Sequence, residues 1–351
     1  MEPALNTSAG RAASERWLWL DALKGIGILA VVAGHVLGRD PARALYLWHM
    51  PLFFITAGLV FKAGADEGRY AREKAARLLV PYAVFMVLLS GPDLMVAIRS
   101  AAAHDWLIFL ASRIAGGKSV YGWLAPFWFV TCMFLAQLVL NACMNRFAPR
   151  TTDGIMAGML VLAFVNQVLL PRAWLPWAAN VVLCAAPLIH VGVRLRPHLQ
   201  SRFAWVAWPV ALTGLVLVWA HRIDAPDMKF ARYGAPVLAL ACGVAVVVVL
   251  ISLARRWLNS GVGAAVLARL GEASLLIMFL HMAIQQTLDD RLGIQDPLLR
   301  IAAGVGIPAM LYTVLVQRAV ARRWLLGLPA PAQAPRARPE AASAVTPSGT
   351  A

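Results

Sequence analysis

Two apolar runs near the start of the chain, each close to membrane-spanning length, flank a six-residue polar connection from Arg39 to Ala44. No other feature restricts the fold as strongly, because these runs carry ionisable side chains. Asp21, Lys24 and His35 lie in the first run, and His49 lies near the start of the second. Ionised groups are costly in hydrocarbon, so within a membrane they face a cavity or a partner. On a helix turning about 100° per residue, Lys24 and His35 fall within roughly 20° of one face and about 16 Å apart along the axis. Asp21 lies about 40° from His35 on the same side. One stripe therefore carries acid, cation and imidazole among Ile, Leu, Val, Ala and Gly. The short connection makes an antiparallel hairpin that brings His35 and His49 to similar depth. Such a stripe is either a buried polar pair holding two helices together or a reaction centre.

The remaining chain is built for the same environment. Only 14% of its 351 residues are charged and 60% are hydrophobic, with a mean hydropathy of +0.69. A soluble domain carries about 25% charge, so the expected class is an all-α, polytopic membrane helix bundle. Ten candidate spans lie near 17–38, 45–62, 78–98, 120–143, 154–170, 177–193, 204–221, 235–254, 271–288 and 297–317. With the N-terminus cytoplasmic, the inside segments hold twenty Lys and Arg residues and the outside segments eleven; Lys24, in the membrane, completes the 32. That bias predicts N-in, C-in. The net charge of +15 then lies along an anionic leaflet, and nucleic acid is not an expected partner. Cys132, Cys143, Cys184 and Cys242 sit in apolar spans without metal-ligand spacing and read as small apolar residues. Residues 1–15 form a polar cytoplasmic tail with no cleaved signal peptide. Residues 16–327 form the membrane domain, and the Pro/Ala/Ser-rich 328–351 is expected to be disordered.

Several later segments carry chemistry. Lys62 to Arg77 is the most basic loop, and Lys74 and Arg77, three apart, can reach one anion together. Gly91-Pro92-Asp93 predicts a kink or early exit, and 107–117 an amphipathic stretch on the outer surface. Trp123, Trp128 and Phe129 form either an aromatic belt or part of a site. His281, in an otherwise apolar helix after Ser274, calls for a partner. His104, His190, His198 and His221 lie near span ends or in loops and read as solvated or snorkelling side chains, with Trp174, Trp177, Trp205, Trp208 and Trp219 as interface anchors.

Arg16, Asp21, Leu23-Lys24-Gly25, Gly34-His35 and His49-Met50-Pro51-Leu52-Phe53-Phe54 together resemble the integral-membrane acyltransferase-3 family, in particular its fucose 4-O-acetylase-like branch. Lys24 and His35 match the family's basic, ten-spacer, histidine motif. Lys74-x-x-Arg77 before Pro81-Tyr82 is similar to its donor-side basic motif, and Pro126-Phe127-Trp128-Phe129 to a segment near the reaction centre. Gly271-x-x-Ser274 with His281 is similar to a late motif. Two hydroxyls common in the family are missing: Ala57 replaces a Ser and Met278 a Tyr.

The resemblance implies a bacterial inner-membrane O-acyltransferase. Its co-substrate would be acetyl-CoA as acyl donor, its acceptor the hydroxyl of a sugar or lipid-linked glycan of an exopolysaccharide, O-antigen or related polymer. Membrane lipids and glycan-assembly enzymes are the other expected partners, and no metal is expected. Acyl transfer to an alcohol needs a base for the hydroxyl proton and stabilisation of the oxyanion. His35 is the expected base, with His49 orienting the acceptor or stabilising the oxyanion and Asp21 ordering the stripe. Lys24, Lys74 and Arg77 are the donor-binding candidates; Trp128, Phe129, Ser274 and His281 line the acceptor side. The rival reading is a transporter or flippase using these groups as a proton relay, which inverted repeats with paired broken helices would favour and which the sequence lacks. A metal site of His35, His49 and His281 is a third arrangement.

Overall fold

Helix follows wherever the chain runs apolar, because in hydrocarbon each backbone N–H and C=O must be satisfied within its own segment. The structure, a computed structural model, describes residues 17–100, 103–199 and 203–329. The tail expected to be disordered lies outside the described residues from 330 on, as do Arg16 and the rest of the N-terminal tail. Helix α1 (Leu18–Leu37) ends at Gly38, whose φ of +83° turns the chain out. A single turn, α2 (Arg43–Tyr46), leads into α3 (His49–Leu59). The carboxylate of Asp66 accepts the Arg69 backbone N–H and starts α4 (Glu67–Leu89). Then come α5 (Gly91–Ser100), α6 (Ala103–Ala115), 3₁₀ turns at 117–119 and 122–127, α7 (Trp128–Arg146), α8 (Pro149–Leu169) and α9 (Val182–Leu195). The chain closes with α10 (Phe203–Trp219), α11 (Leu238–Trp257), α12 (Val262–Glu272), α13 (Ser274–Leu292), α14 (Pro297–Leu315) and α15 (Ala319–Trp324).

Each of the ten sequence spans coincides with helix. Among the described residues six helices are long and apolar enough to cross a membrane, or eight if each of two bent pairs counts as one span. The bend between α4 and α5 is 46° and falls at Ser90, just before the Gly91-Pro92-Asp93 where the sequence predicts a kink. The bend between α12 and α13 is 75°. Here the structure adds to the sequence reading: a separate helix, α12, precedes the expected 271–288 span. Helices α3 and α10 are shorter than a full crossing; the eleven residues of α3 reach roughly 16 Å, about half a bilayer core.

Helix α1 is the hub, packed against α3, α11, α12, α13 and α14. Lipid tails are as apolar as Leu, so helix pairing relies on close approach of small residues. A Cβ on Gly25 would come 2.0 Å from the Leu267 carbonyl oxygen, and one on Gly271 would come 1.9 Å from that of Asp21, so α1 and α12 cross backbone to backbone. Gly58 and Gly192 do the same for α3 and α9, with 1.9 Å to Ile189 O and 2.1 Å to Ile55 O.

Long-range contacts sort the loops into two faces. On one, Trp17 meets Arg196, Gly64 meets Asn141 and Asn145, Glu67 pairs with Arg146, and Gly327 rests on Arg77. On the other, Arg39 pairs with Asp227, Arg43 donates to Val218 O, Lys229 donates to Val120 O, and Asp289 pairs with Arg300.

Candidate active site

His35 stands in the last turn of α1 and lines a cleft with about 510 Å³ of empty space. Trp128 and Phe129 at the start of α7, Ser274 at the start of α13, and Met50, Phe53 and Met278 share its wall. The bend after α12 places Ser274 here, and the 3₁₀ turn through Pro126 delivers the two aromatic rings.

Hydrogen bonding determines the protons. The fully buried His281 has Nδ1 2.9 Å from the Ile277 carbonyl oxygen, which can only accept. Nδ1 therefore carries the hydrogen, and Nε2 of the neutral ring is an acceptor. His281 Nε2 lies 3.2 Å from His35 Nδ1. His35 Nδ1 in turn lies 3.1 Å from Val31 O. Both neighbours of that nitrogen accept, so it too carries a hydrogen. The basic lone pair of His35 is then on Nε2, which has no protein partner among the described residues. This tautomer follows from the network, as hydrogens always must at such a site.

His49 is buried at the start of α3, outside the cleft lining, with Nδ1 2.7 Å from Leu45 O and its ring edge-on to Tyr46 at 4.9 Å. Tyr46 donates to the Gly34 carbonyl, one residue before His35. Asp21 and Lys24 pair at 3.3 Å near the other end of α1 and do not line the cleft. Lys74 and Arg77 lie on α4; Lys74 sits 5.1 Å from the Tyr70 ring centroid and Arg77 is exposed. Of the sequence candidates, His35, Trp128, Phe129 and Ser274 line one cleft with His281 bonded to His35, while His49, Asp21, Lys24, Lys74 and Arg77 lie outside its lining.

Sequence reasoning missed several residues. Gln285, one turn beyond His281, is buried and donates to Val32 O, tying α13 to α1 beside Gly304; its i+4 spacing from His281 was the available signal. Lys229 lies in the loop between α10 and α11, with Nζ on Val120 O and against the Tyr121 and Phe230 rings. Burial holds its ammonium down to about 8, and its charge acts on His35. One reading needs correction. His190 is not solvated: it is buried in α9 with Nε2 2.6 Å from the Asp153 carboxylate of α8. Packing of α8 on α9 brought an acid that span position alone could not reveal. His104, His198 and His221 are exposed. Among the described residues no three His, Cys, Asp or Glu side chains are placed to hold a metal ion.

A family model described as an acyltransferase domain matches residues 17–316, most of the chain. No curated protein and no solved structure is significantly similar to it. With the motifs of α1, α3, α4 and α13 all inside the matched region, the chain belongs to the acyltransferase-3 family and is a membrane acyltransferase.

Proposed function

We propose that the protein moves an acetyl group from acetyl-CoA to a sugar hydroxyl of an exopolysaccharide, O-antigen or related glycan at the bacterial inner membrane, with N- and C-termini cytoplasmic. One observation carries this reading: His35, in an aromatic-walled cleft, keeps Nε2 basic because Nδ1 is committed to His281 and Val31. Nε2 accepts the proton of the sugar hydroxyl as its oxygen attacks the thioester carbonyl. The carbonyl becomes an oxyanion, the C–S bond breaks, and the CoA sulfur leaves with the proton returned from His35. Positive charge forming on His35 is shared along the hydrogen bond to His281 Nε2, and the buried pair keeps the ring in one orientation. Lys229, a loop cation whose charge acts on His35, suits oxyanion stabilisation, and His49, with Nδ1 committed to Leu45 O, keeps Nε2 as an acceptor for orienting a hydroxyl. Trp128 and Phe129 offer stacking faces to a sugar ring, and Ser274 a hydroxyl for orientation. Lys24, Lys74 and Arg77, away from the cleft, suit the phosphates of CoA. Purified protein in nanodiscs, given acetyl-CoA and a glycan acceptor, should yield O-acetylated product by NMR; wild-type protein that leaves both substrates unchanged with every acceptor class would remove the reading.

A further inference from the structure

A second pocket lies at the opposite end of α1 from His35, with about 660 Å³ of empty space lined by Trp17, Trp19, Arg196, Pro197, Leu199 and Arg255. Three separate elements build it: the entry to α1, the 3₁₀ turn after α9, and the last turn of α11. Trp17 and Trp19 stack with ring centroids 5.6 Å apart. Each carries a guanidinium on a face, Arg196 at 6.0 Å from Trp17 and Arg255 at 5.9 Å from Trp19. Arg255 is anchored through Nη1 to the Leu199 carbonyl, which leaves most of its five donors unspent. No Asp or Glu lines the pocket, and neither arginine pairs with a carboxylate among the described residues.

Ordinary charge decoration on a cytoplasmic face spreads into water. Here two cations from different elements line one pocket beside a stacked tryptophan pair. Two guanidinium groups lining one pocket suit a tetrahedral oxyanion that can accept bidentate pairs, and tryptophan rings mark the depth of lipid headgroups. We propose that this pocket binds a phosphate ester at the membrane surface. Its two sources are the headgroup of an anionic phospholipid, as basic interhelical pockets take, and the phosphates of a CoA thioester; only the second source rests on the donor assigned above.

The test uses the full-length protein in nanodiscs containing equal phosphatidylglycerol and phosphatidylcholine. Native mass spectrometry counts retained phosphatidylglycerol, and equilibrium binding of unacylated CoA is measured beside it in phosphatidylcholine alone. Arg196→Gln with Arg255→Gln is compared with Arg256→Gln, a neighbouring cation that stacks on Trp257 outside the pocket. Because the Arg196 side chain makes no hydrogen bond among the described residues, Arg196→Gln alone serves if the double variant fails to fold. Loss of about tenfold or more in retained phosphatidylglycerol, with CoA binding unchanged, supports a lipid phosphate. The same loss in CoA affinity supports a donor phosphate. Variants that lose no more than Arg256→Gln in both measurements overturn the proposal, whatever the fate of the transferase reading.

Discussion

Which nitrogen of His35 carries the proton governs the chemistry of the cleft. With Nδ1 tied to His281 and Val31, removing the ring removes the base, and general-base catalysis is worth about 10²- to 10⁴-fold. His35→Ala should therefore lower kcat for sugar acetylation by about that factor, with membrane abundance unchanged in the same samples. An equally abundant variant with wild-type product acetylation by NMR would refute the assignment. His281→Ala acts one step away: His35 keeps Val31 as a partner but loses its orienting acceptor. We expect a kcat loss smaller than that of His35→Ala and little change in acceptor KM. A larger loss for His281→Ala than for His35→Ala would reverse the roles of the two rings.

Helix pairing depends on a few glycines that admit a neighbouring backbone. Gly58→Ala and Gly192→Ala each place a methyl about 2 Å from a carbonyl oxygen, so α3 and α9 must separate. Overpacking of this kind costs about 1–3 kcal/mol. Both variants should melt earlier in detergent, and Gly58→Ala should also disturb activity because α3 begins with His49. The matched control is Gly158→Ala on α8, where a Cβ meets nothing within 4 Å; it should be neutral or slightly stabilising, since Ala is the better helix former. Equal melting temperatures for Gly58→Ala and Gly158→Ala, read by size-exclusion thermal stability, would show that the close crossing does not hold these helices.

Across the whole molecule Lys24, Lys74 and Arg77 all lie outside the lining of the histidine cleft, which predicts separable kinetics. If Lys24 and Arg77 hold CoA phosphates, neutralising each removes charge-assisted bonds worth roughly 1.5–3 kcal/mol. Lys24→Gln and Arg77→Gln should then raise the apparent KM for acetyl-CoA by about 10- to 150-fold and leave acceptor KM nearly unchanged. Acetyl-CoA titrations superimposable on wild type would mean that the donor enters elsewhere. The charge bias of the loops gives topology its own check. Reporter fusions at Asp66 and after Arg323 should report cytoplasm, and one at Lys229 periplasm; a periplasmic signal at Asp66 would separate the basic loop from the cytosolic acyl-CoA pool.

Sequence by itself located the apolar spans that form helix, because hydrocarbon makes apolar length a sufficient condition for helix. It also aligned Lys24 with His35, since helical period is local, and it carried the motifs that place the chain in its family. The shared depth of His35 and His281, 246 residues apart, was not legible: both helices present the same apolar surface, and nothing in their composition says which will touch. The same holds for His190 with Asp153, for Arg39 with Asp227 between the loops after α1 and α10, and for the two arginines beside Trp17 and Trp19. Only the tertiary structure decided these pairings, because in lipid helices choose neighbours by shape, through glycine crossings and the 75° bend after Glu272, rather than by hydrophobicity.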